Sequence, residues 1–480
     1  MAGSARLAPP RRRIDAPEWH SVPWGAMPLS ALSTADRRLE AEAYLLGGYG
    51  IRLEIEARSG WRRFGDLAHV WQPTRLKGIQ VSKAYGTPFL SATQVFDLRP
   101  TPRKWLALAK TDNASERLVV SGTILVTRSG TVGLSTIAHS PHIGVLISDD
   151  LLRVEAKDES WIGWLYAFLR SDQARAMMTS VQYGHVIKHL ECAHLEQLPV
   201  PSIDTKSRDR FTQAVQRIFA ARDEANTLFK KAEDLYGEVV GAVETVDPEA
   251  AFSVTSSELT GGRRRLDAFS HNREAAAVRE CFLRSGFRVQ QLHEVANVWW
   301  LTRFKRVFGI AGVPYASAED LFSLNPPIKK RVMIEQAAEP ERFFGKAGWL
   351  AMACSGQTYG LNGSVALLTS KHEGTFLSHD IVRIAPLEDS IRPGYLFIAL
   401  GHPTLGRPLV IRHAYGTSIP HLDPADMATI PVVRLGRAES EIADLAERAA
   451  KLRDEADMLE DQITQEAADI VRQFAIGRTS

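Results

Sequence analysis

Four nitrogen- and sulfur-bearing side chains in the first half of the chain could bind a metal ion. They are His185, His189, Cys192 and His194. Histidine and cysteine at such short spacings can hold zinc. The chain contains a second copy of this segment, and its matching residues are Thr417, His421, Pro424 and Asp426. A metal needed for the fold would require ligands in both copies, so we expect no metal site. The recurring His189 and His421 are interpreted as hydrogen-bonding scaffold residues.

A nuclease or an ATP-driven motor would need other residues. Asp149-Asp150, followed by Glu155-Ala156-Lys157, could be a nuclease carboxylate–lysine pattern. The second copy has Arg383-Ile384-Ala385-Pro386 there, without acid or lysine. The sequence has no Gly-rich loop ending in Gly-Lys-Ser or Gly-Lys-Thr, which ATP-driven motors use to bind phosphate. Neither activity is therefore predicted.

One segment resembles a catalytic loop. Asn325-Pro326-Pro327-Ile328 is similar to the Asn-Pro-Pro-aromatic loop of adenine-N6 methyltransferases, with Ile328 where an aromatic would stack on the flipped base. No Gly-rich cofactor loop precedes it, and copy one has Arg99-Pro100-Thr101 at that place. A plain turn is the favoured interpretation. We therefore expect no catalysis and no cofactor in this chain.

The second half of the chain repeats the first at an offset of 226–232 residues. Matching segments keep their order, and a period of this size indicates tandem globular domains. The matches include Gly86-Thr87-Pro88 with Gly312-Val313-Pro314, Ser129-Gly130 with Ser355-Gly356, Arg153 with Arg383, and Tyr183-Gly184 with Tyr415-Gly416.

Each copy has a mixed segment of short apolar runs followed by a charged helical segment. The predicted boundaries are a disordered basic N-terminal arm at 1–29, a first domain at 30–205, a first helix with linker at 206–250, a second domain at 251–435 and a second helix at 436–480. Arg11-Arg12-Arg13 lies in the arm, which lacks the apolar stretch of a secretory signal.

Net charge divides by segment. Residues 1–205 carry 24 Lys+Arg against 20 Asp+Glu, and residues 251–435 carry 21 against 16. The helical segments 206–250 and 436–480 carry 7 against 9 and 6 against 11. Basic domains suit phosphate-bearing partners, and acidic helices suit protein partners. Ordinary Glu-rich helices are the alternative explanation.

Both helical segments have a heptad pattern of apolar residues. In the first, the predicted seam includes Phe211, Val215, Ile218 and Phe229, interrupted by Arg222. In the second, it includes Ile442, Leu445, Leu452, Leu459 and Ile463. A long helix with one apolar stripe must bury it. We expect the two helices to form an antiparallel coiled coil that separates the two domains about a pseudo-two-fold axis. The alternative is that each helix packs only on its own domain.

Composition is that of a globular protein, with 45% hydrophobic and 24% charged residues. No run of 18 or more apolar residues occurs, so no membrane span is expected. The cysteines Cys192, Cys281 and Cys354 are few and far apart, which fits a reducing cytoplasm.

This organisation resembles the specificity (S) subunits of type I restriction-modification systems. Their strand-turn-strand motif is similar to Ser121–Gly133, and their exit motif before the helix is similar to Leu198-Pro199-Val200-Pro201, repeated weakly as Ile430-Pro431-Val432. Asp150-Leu151-Leu152-Arg153-Val154 resembles a third motif. The resemblance covers about 35–476 and implies an α+β fold with two target recognition domains and two conserved-region helices.

The resemblance also implies partners. They are double-stranded DNA, two methyltransferase subunits that bind S-adenosylmethionine and methylate adenine N6, and a restriction and translocation subunit. DNA-reading residues are expected where the two copies differ, on loops of a shared scaffold. The candidates are Arg75, Lys77, Lys83, Arg128, His185 and Lys188 in copy one, and Arg303, Lys305, Arg306, Gln357 and Tyr359 in copy two. For each one, a solvated surface role is the alternative.

Two other functions remain open at this point. One is a methyltransferase with fused recognition domains, which the missing cofactor loop opposes. The other is a protein-binding scaffold without DNA contact, which the basic domains oppose. The favoured hypothesis is a non-catalytic specificity subunit that recognises a bipartite, gapped DNA site for a restriction-modification or related antiviral complex.

Overall fold

The computed structural model describes residues 44, 47–181, 188–246, 251–260 and 264–477. The predicted N-terminal arm and His185 lie outside these residues. The chain divides into two units, each containing part of both long helices. Unit 1 comprises Met1–Phe96, Pro100–Phe219 and Met458–Ser480, and unit 2 comprises Asp97–Arg99 and Ala220–Asp457.

The described residues of unit 1 form two four-stranded sheets and one strand pair. The first sheet is antiparallel, in the order Ala68–Trp71, Leu151–Ala156, Ile124–Thr127 and Ser135–Ile137. The second is mixed, in the order Gln80–Val81, Lys104–Leu106, Thr87–Leu90 and Leu146–Ile147. The antiparallel pair joins Trp61–Arg63 to Pro199–Pro201.

Unit 2 repeats this arrangement, except that the described part of its mixed sheet has three strands rather than four. Its antiparallel sheet has the order Ala296–Trp299, Ile381–Pro386, Leu350–Ala353 and Val365–Leu367. Its mixed sheet has the order Arg331–Val332, Phe308–Ala316 and Phe376–Leu377. The antiparallel pair joins Arg288–Gln291 to Pro431–Arg434. The repeat seen in the sequence is therefore a repeat of the antiparallel sheet, of the strand pair, and of a mixed sheet in which one strand has an antiparallel and a parallel neighbour.

Short helices complete the units. In unit 1 they are Gly48–Glu56, Phe64–Leu67, Ala114–Arg117, Ile162–Arg170, Asp172–Val181 and Cys192–Glu196. In unit 2 they are Ser256–Thr260, Arg273–Arg284, Leu292–Val295, Ala318–Phe322, Pro393–Gly401, Arg407–Ile411 and Pro424–Met427. Among the described residues, no helix is both long enough and apolar enough to cross a membrane.

Matching glycines allow a short helix in each unit to pack closely on a long one. A Cβ on Gly163 would lie 2.2 Å from the backbone nitrogen of Thr212. A Cβ on Gly394 would lie 2.7 Å from the carbonyl oxygen of Ala443. Such separations are shorter than van der Waals contact, so only glycine permits this approach without a backbone shift. Each domain is therefore packed against the long helix that follows it in sequence.

The long helices run from Thr205 to Val240 and from Ala438 to Ile476. Asp204 caps the first, since its carboxylate accepts a hydrogen bond from the backbone nitrogen of Ser207 at 3.0 Å. The buried positions of this helix keep heptad spacing and include the seam residues named from the sequence. They are Phe211, Val215, Ile218, Arg222, Ala225, Phe229, Ala232 and Tyr236. Arg222 does not interrupt the buried stripe, because its side chain is on it and only 2% exposed.

The buried stripe of the second long helix differs partly from the predicted seam. Ile442 and Ile463 are buried, as are the alanines between them, whereas Leu445, Leu452 and Leu459 are half-buried. In each case the residue that directly follows the leucine is buried instead. These positions are Ala446, Arg453 and Glu460. The helix is thus rotated by part of a turn relative to the prediction.

Within each unit the two long helices pair antiparallel. In unit 2, Asn226 accepts a hydrogen bond from Arg453 at 2.8 Å, and Asp457 accepts one from Arg222 at 2.8 Å. As the residue number decreases from 226 to 222 on the first helix, the number of the partner increases from 453 to 457 on the second, so the two helices run in opposite directions. In unit 1, Arg210 forms a two-pronged ion pair with Glu466. The fold class predicted from the sequence is confirmed in these respects: α+β, repeated, with two long helices in antiparallel pairing.

The helix pair contains buried charges. In unit 2, the carboxylate of Asp457 accepts hydrogen bonds from both Arg222 and Lys371, the latter at 2.6 Å. In unit 1, Glu460 accepts a hydrogen bond from the Tyr166 hydroxyl at 2.5 Å and forms an ion pair with Arg170 at 3.2 Å. Both acids thus link the helix pair to a sheet-bearing domain. Buried polar groups of this kind can specify the register of a coiled coil.

Candidate nucleic-acid interface

A matching Ser–His–Asp cluster lies at the end of the antiparallel sheet in each unit. In unit 1, Ser129 Oγ lies 2.9 Å from His189 Nδ1 and donates to Asp150 Oδ1 at 3.1 Å. Because the one hydroxyl hydrogen goes to the carboxylate, His189 Nδ1 must donate to Oγ. Ser129 and His189 also form a backbone bridge, and Leu190 donates its backbone N–H to the carbonyl oxygen of Arg128 at 2.9 Å.

Unit 2 repeats this cluster. Ser355 Oγ lies 2.9 Å from His421 Nδ1 and 3.4 Å from Asp380 Oδ1. The backbone bridge recurs between Ser355 and His421, and Leu422 donates to the carbonyl oxygen of Cys354 at 2.9 Å. The serine contacts both partners, whereas the aspartate contacts serine rather than histidine. The arrangement is therefore a clamp between chain segments and not a nucleophile–base–acid relay.

The clamp brings together two segments that carry predicted DNA-binding residues. In unit 1 it joins the turn containing Arg128 to the segment containing Lys188, and both side chains are half-buried. In unit 2 the exposed Gln357 side chain donates to the carbonyl oxygen of Ser418 at 2.9 Å, and Tyr359 is 71% exposed. Gln357 therefore links the same two segments in the second copy.

The residue before each clamp aspartate contacts a third segment. Asp149 accepts hydrogen bonds from the backbone nitrogen of Leu76 at 3.2 Å and forms an ion pair with Arg117 at 3.5 Å. His379 takes the place of Asp149 in unit 2, and its ring centroid lies 6.2 Å from that of Phe304. Burial lowers the pKa of His379, so its ring is neutral near pH 7.

The third segment has the same pattern in both units: an inward apolar residue between two exposed cations. Leu76 packs into the core between Arg75 and Lys77, and Phe304 is buried between Arg303 and Lys305. The two cations of each pair are exposed. These cations match between the two copies, although DNA-binding residues were predicted where the copies differ. The offset of 228, within the range of the repeat, was the available signal.

The remaining predicted residues lie along the mixed sheets. Lys83 is exposed, and its ammonium lies 5.9 Å from the centroid of the Trp105 ring. Arg306 is exposed and donates to the Tyr315 hydroxyl at 3.2 Å. His185 lies outside the described residues, so the structure does not place it relative to the clamp.

Two other arginines that recur in the repeat have structural roles. Arg153 donates to the carbonyl oxygens of Ser148, Leu151 and Ile147. Arg383 donates to four carbonyl oxygens, those of Phe343, Leu377, Ser378 and Ile381. Burial lowers the pKa of each to about 10. These cations hold the strand ends that carry the clamps.

The residues considered for a metal are arranged differently. His189 belongs to the clamp, and the ring of His194 accepts a hydrogen bond from the backbone nitrogen of Glu191 at 3.3 Å. Within the described part of the chain, no group of three or more His, Cys, Asp or Glu side chains is placed to hold a metal ion.

Comparisons with known proteins give structural likenesses. No protein-family profile matches the chain, and no curated protein matches its sequence. The chain is similar to the crystal structure of a type I restriction-modification S subunit from M. genitalium, with 14% identity over 88% of this chain and 96% of that chain and a TM-score of 0.28. It is similar to the HsdS subunit from Thermoanaerobacter tengcongensis, with 15% identity over 88% and 98% and a TM-score of 0.25.

A further likeness is to the type IIG restriction endonuclease BpuSI, with 14% identity over 39% of this chain and 30% of that chain and a TM-score of 0.29. The family that the sequence motifs resemble is also the family of the two structures that match 88% of the chain.

Proposed function

We propose that this chain is the DNA-specificity subunit of a type I restriction-modification complex and has no catalysis of its own. Each unit reads one half of a bipartite, gapped DNA site. The paired long helices set the gap and dock two methyltransferase subunits, which bind S-adenosylmethionine and methylate adenine N6. A restriction and translocation subunit joins this complex.

The convergence of the same three segments in both units is the observation that carries the proposal. In each unit three chain segments meet at one dipeptide, which is Asp149-Asp150 in unit 1 and His379-Asp380 in unit 2. The segments are the exposed Arg–apolar–Lys segment, the clamped turn and the segment that carries the clamp histidine. The scaffold is common to both, but the turn carries Arg128 in one unit and Gln357 with Tyr359 in the other. A repeated scaffold with different turn residues suits recognition of two different half-sites.

The division between shared and different residues assigns roles. Phosphate contacts position a protein on DNA without reading sequence, and base-edge contacts give specificity. The matching cations Arg75, Lys77, Arg303 and Lys305 are therefore assigned to phosphates. The differing turn residues Arg128, Gln357 and Tyr359 are assigned to base edges.

The hydrogen bonds of Asn325 argue against the methyltransferase alternative. Its side chain is 4% exposed. The amide oxygen accepts from Lys371 at 2.7 Å, and the amide nitrogen donates to the carbonyl oxygen of Asp457 at 3.4 Å. A catalytic asparagine must offer its amide oxygen to the target base, whereas this one joins a loop to a long helix.

The first test concerns catalysis. We expect the purified chain not to bind S-adenosylmethionine in a calorimetric titration and not to methylate DNA. Methylation should appear when the partner methyltransferase is added, and sequencing of the modified DNA should yield one gapped, bipartite site. Cofactor binding with methylation by the chain alone would establish the enzyme alternative. An active complex whose site choice ignores this chain would establish the scaffold alternative.

The second test concerns the clamps. Ser129→Ala removes the hydroxyl that joins His189 to Asp150, so the turn carrying Arg128 loses its fixed position. We expect discrimination at the first half-site to fall roughly fivefold, since the loss of a net hydrogen bond costs about 1 kcal/mol. Ser355→Ala should do the same at the second half-site only, and Ser129→Thr should retain discrimination because it keeps the hydroxyl. Methylation-site sequencing measures both halves at once, so equal changes in both would contradict the assignment.

A further inference from the structure

A group of exposed apolar side chains lies at one edge of the mixed sheet in unit 2. Ile310 is 97% exposed, Phe308 is 49% exposed, and Val307 and Ile328 are each 40% exposed. The strand Phe308–Ala316 pairs with Arg331–Val332 and has a register shift between Phe308 and Val313. Residues 309–312 therefore loop out of the ladder as a tip, and Ile310 points away from the protein core.

The tip is held by specific contacts. Arg331 Nε donates to the carbonyl oxygens of Ile310, at 3.2 Å, and Gly312, at 2.8 Å. A Cβ on Gly312 would lie 2.5 Å from the carbonyl oxygen of Val332, so only glycine allows the strand to return so closely. Bulges of this kind can redirect a side chain next to a functional site.

The two chain segments that form the tip and its neighbouring strand carry positive charges and no negative ones. Residues 301–316 and 323–334 contain no aspartate or glutamate. The exposed cations of these two segments are Arg303, Lys305, Arg306, Lys329, Lys330 and Arg331. An apolar side chain surrounded by cations fits a partner that is anionic outside and apolar inside. Duplex DNA has this chemistry, with phosphates along the grooves and stacked bases between them.

Unit 1 has a similar feature at the matching place. Tyr85 is 85% exposed and directly precedes Gly86, as Ile310 and Ala311 precede Gly312. Residues 71–96 contain no acid, and Lys77 and Lys83 are exposed within them. A Cβ on Gly86 would lie 2.5 Å from the Cβ of Trp105, so this glycine also permits a close strand return. Tyr85 in unit 1 and Ile310 in unit 2 are thus the most exposed large side chains of their segments, and both segments carry only basic charges.

We propose that Ile310 and Tyr85 each insert partway between adjacent base pairs at the half-site read by their unit, while the neighbouring cations bind the flanking phosphates. This rests on the proposed DNA-specificity function and adds the mode of contact. Insertion unstacks a base step, so each half-site is selected partly for how easily that step deforms. The exposed side chains then contribute to site choice without hydrogen bonds to bases.

The test uses the full chain assembled with its methyltransferase and a duplex carrying its site. The adenine analogue 2-aminopurine is placed at successive steps of each half-site, because its fluorescence rises when it unstacks. Besides the target adenine, which the methyltransferase flips out of the duplex, we expect one responsive step in each half-site. Ile310→Ser should abolish the response in the second half-site and weaken binding roughly tenfold, because the buried apolar contact is lost, and Tyr85→Ser should act only on the first.

Leu283→Ser is the matched control, since Leu283 is 78% exposed in unit 2 but lies on the helix Arg273–Arg284 outside the basic segments. It should change neither response. Ile310→Met should retain the response, because methionine also forms an apolar wedge. Specific binding with no responsive step other than the target adenine would overturn insertion and leave the proposed function intact. Loss of methyltransferase assembly in the Ile310→Ser variant would instead make the tip a protein-docking element. A parent complex that binds no DNA would contradict the proposed function itself.

Discussion

Replacing Asp457 by alanine is expected to destabilise unit 2 by about 3–5 kcal/mol. The carboxylate receives hydrogen bonds from Arg222 at 2.8 Å and from Lys371 at 2.6 Å. The Arg222 side chain is only 2% exposed. Once the carboxylate is removed, bulk water can therefore reach the guanidinium only if the helix pair is disrupted. Removing one member of a buried ion pair leaves the charge of the other uncompensated, which is the costly case.

Two control variants separate this effect from simple loss of charge. Arg448→Ala removes an ion pair with Glu224 whose side chains are 66% and 51% exposed, so it should cost less than about 1 kcal/mol. The double variant Arg222→Met with Asp457→Leu replaces both buried charges by apolar groups, and it should lie closer to the parent than Asp457→Ala does. Urea unfolding and hydrogen exchange in 440–457 provide the measurement. Equal effects of Asp457→Ala and Arg448→Ala would show that Asp457 does not hold the helix pair.

The buried charges explain why the helix stripe could be predicted only in part. Apolar periodicity identified Ile442 and Ile463, but it chose Leu452 and Leu459 over the neighbouring Arg453 and Glu460. Hydrophobicity alone cannot place a charged residue in a seam, because its burial depends on partners far away in sequence. Arg453 is buried because Asn226 accepts its hydrogen bond and the Phe229 ring lies 4.3 Å from its guanidinium.

The interface shows the same limit. The repeat marked Ser129, His189 and Asp150 as recurring, yet their contact joins segments 60 residues apart and could not be derived from spacing. The two carboxylates of the rejected nuclease pattern have other roles. Asp150 is the clamp aspartate, and Asp149 accepts a hydrogen bond from Leu76 and so fixes the segment that carries Arg75. Exposed apolar tips such as Ile310 were also missed, since an apolar residue within a strand is ordinarily expected to be buried. The repeat of the fold can be predicted from the sequence, whereas the contacts between these segments are seen only in the folded structure.

The double variant Arg303→Ala with Lys305→Ala is expected to weaken DNA binding by the assembled complex roughly a hundredfold at low salt. Each side chain is exposed beside a buried phenylalanine and is assigned to a phosphate, and a charged hydrogen bond contributes about 1.5 kcal/mol or roughly tenfold. The log–log salt slope should fall by about 1.8, since each phosphate contact contributes roughly 0.9.

Arg75→Ala with Lys77→Ala is the matched variant in unit 1, because it removes the same pair of cations around Leu76. It should reproduce both the loss of affinity and the smaller slope. Neither variant should alter the sequence that is methylated, since phosphate contacts carry no direct sequence information. The measurements are binding isotherms from 50 to 200 mM salt and methylation-site sequencing. A relaxed half-site in either variant would move that cation pair from the phosphates to the bases, and an unchanged salt slope would remove the pair from the interface.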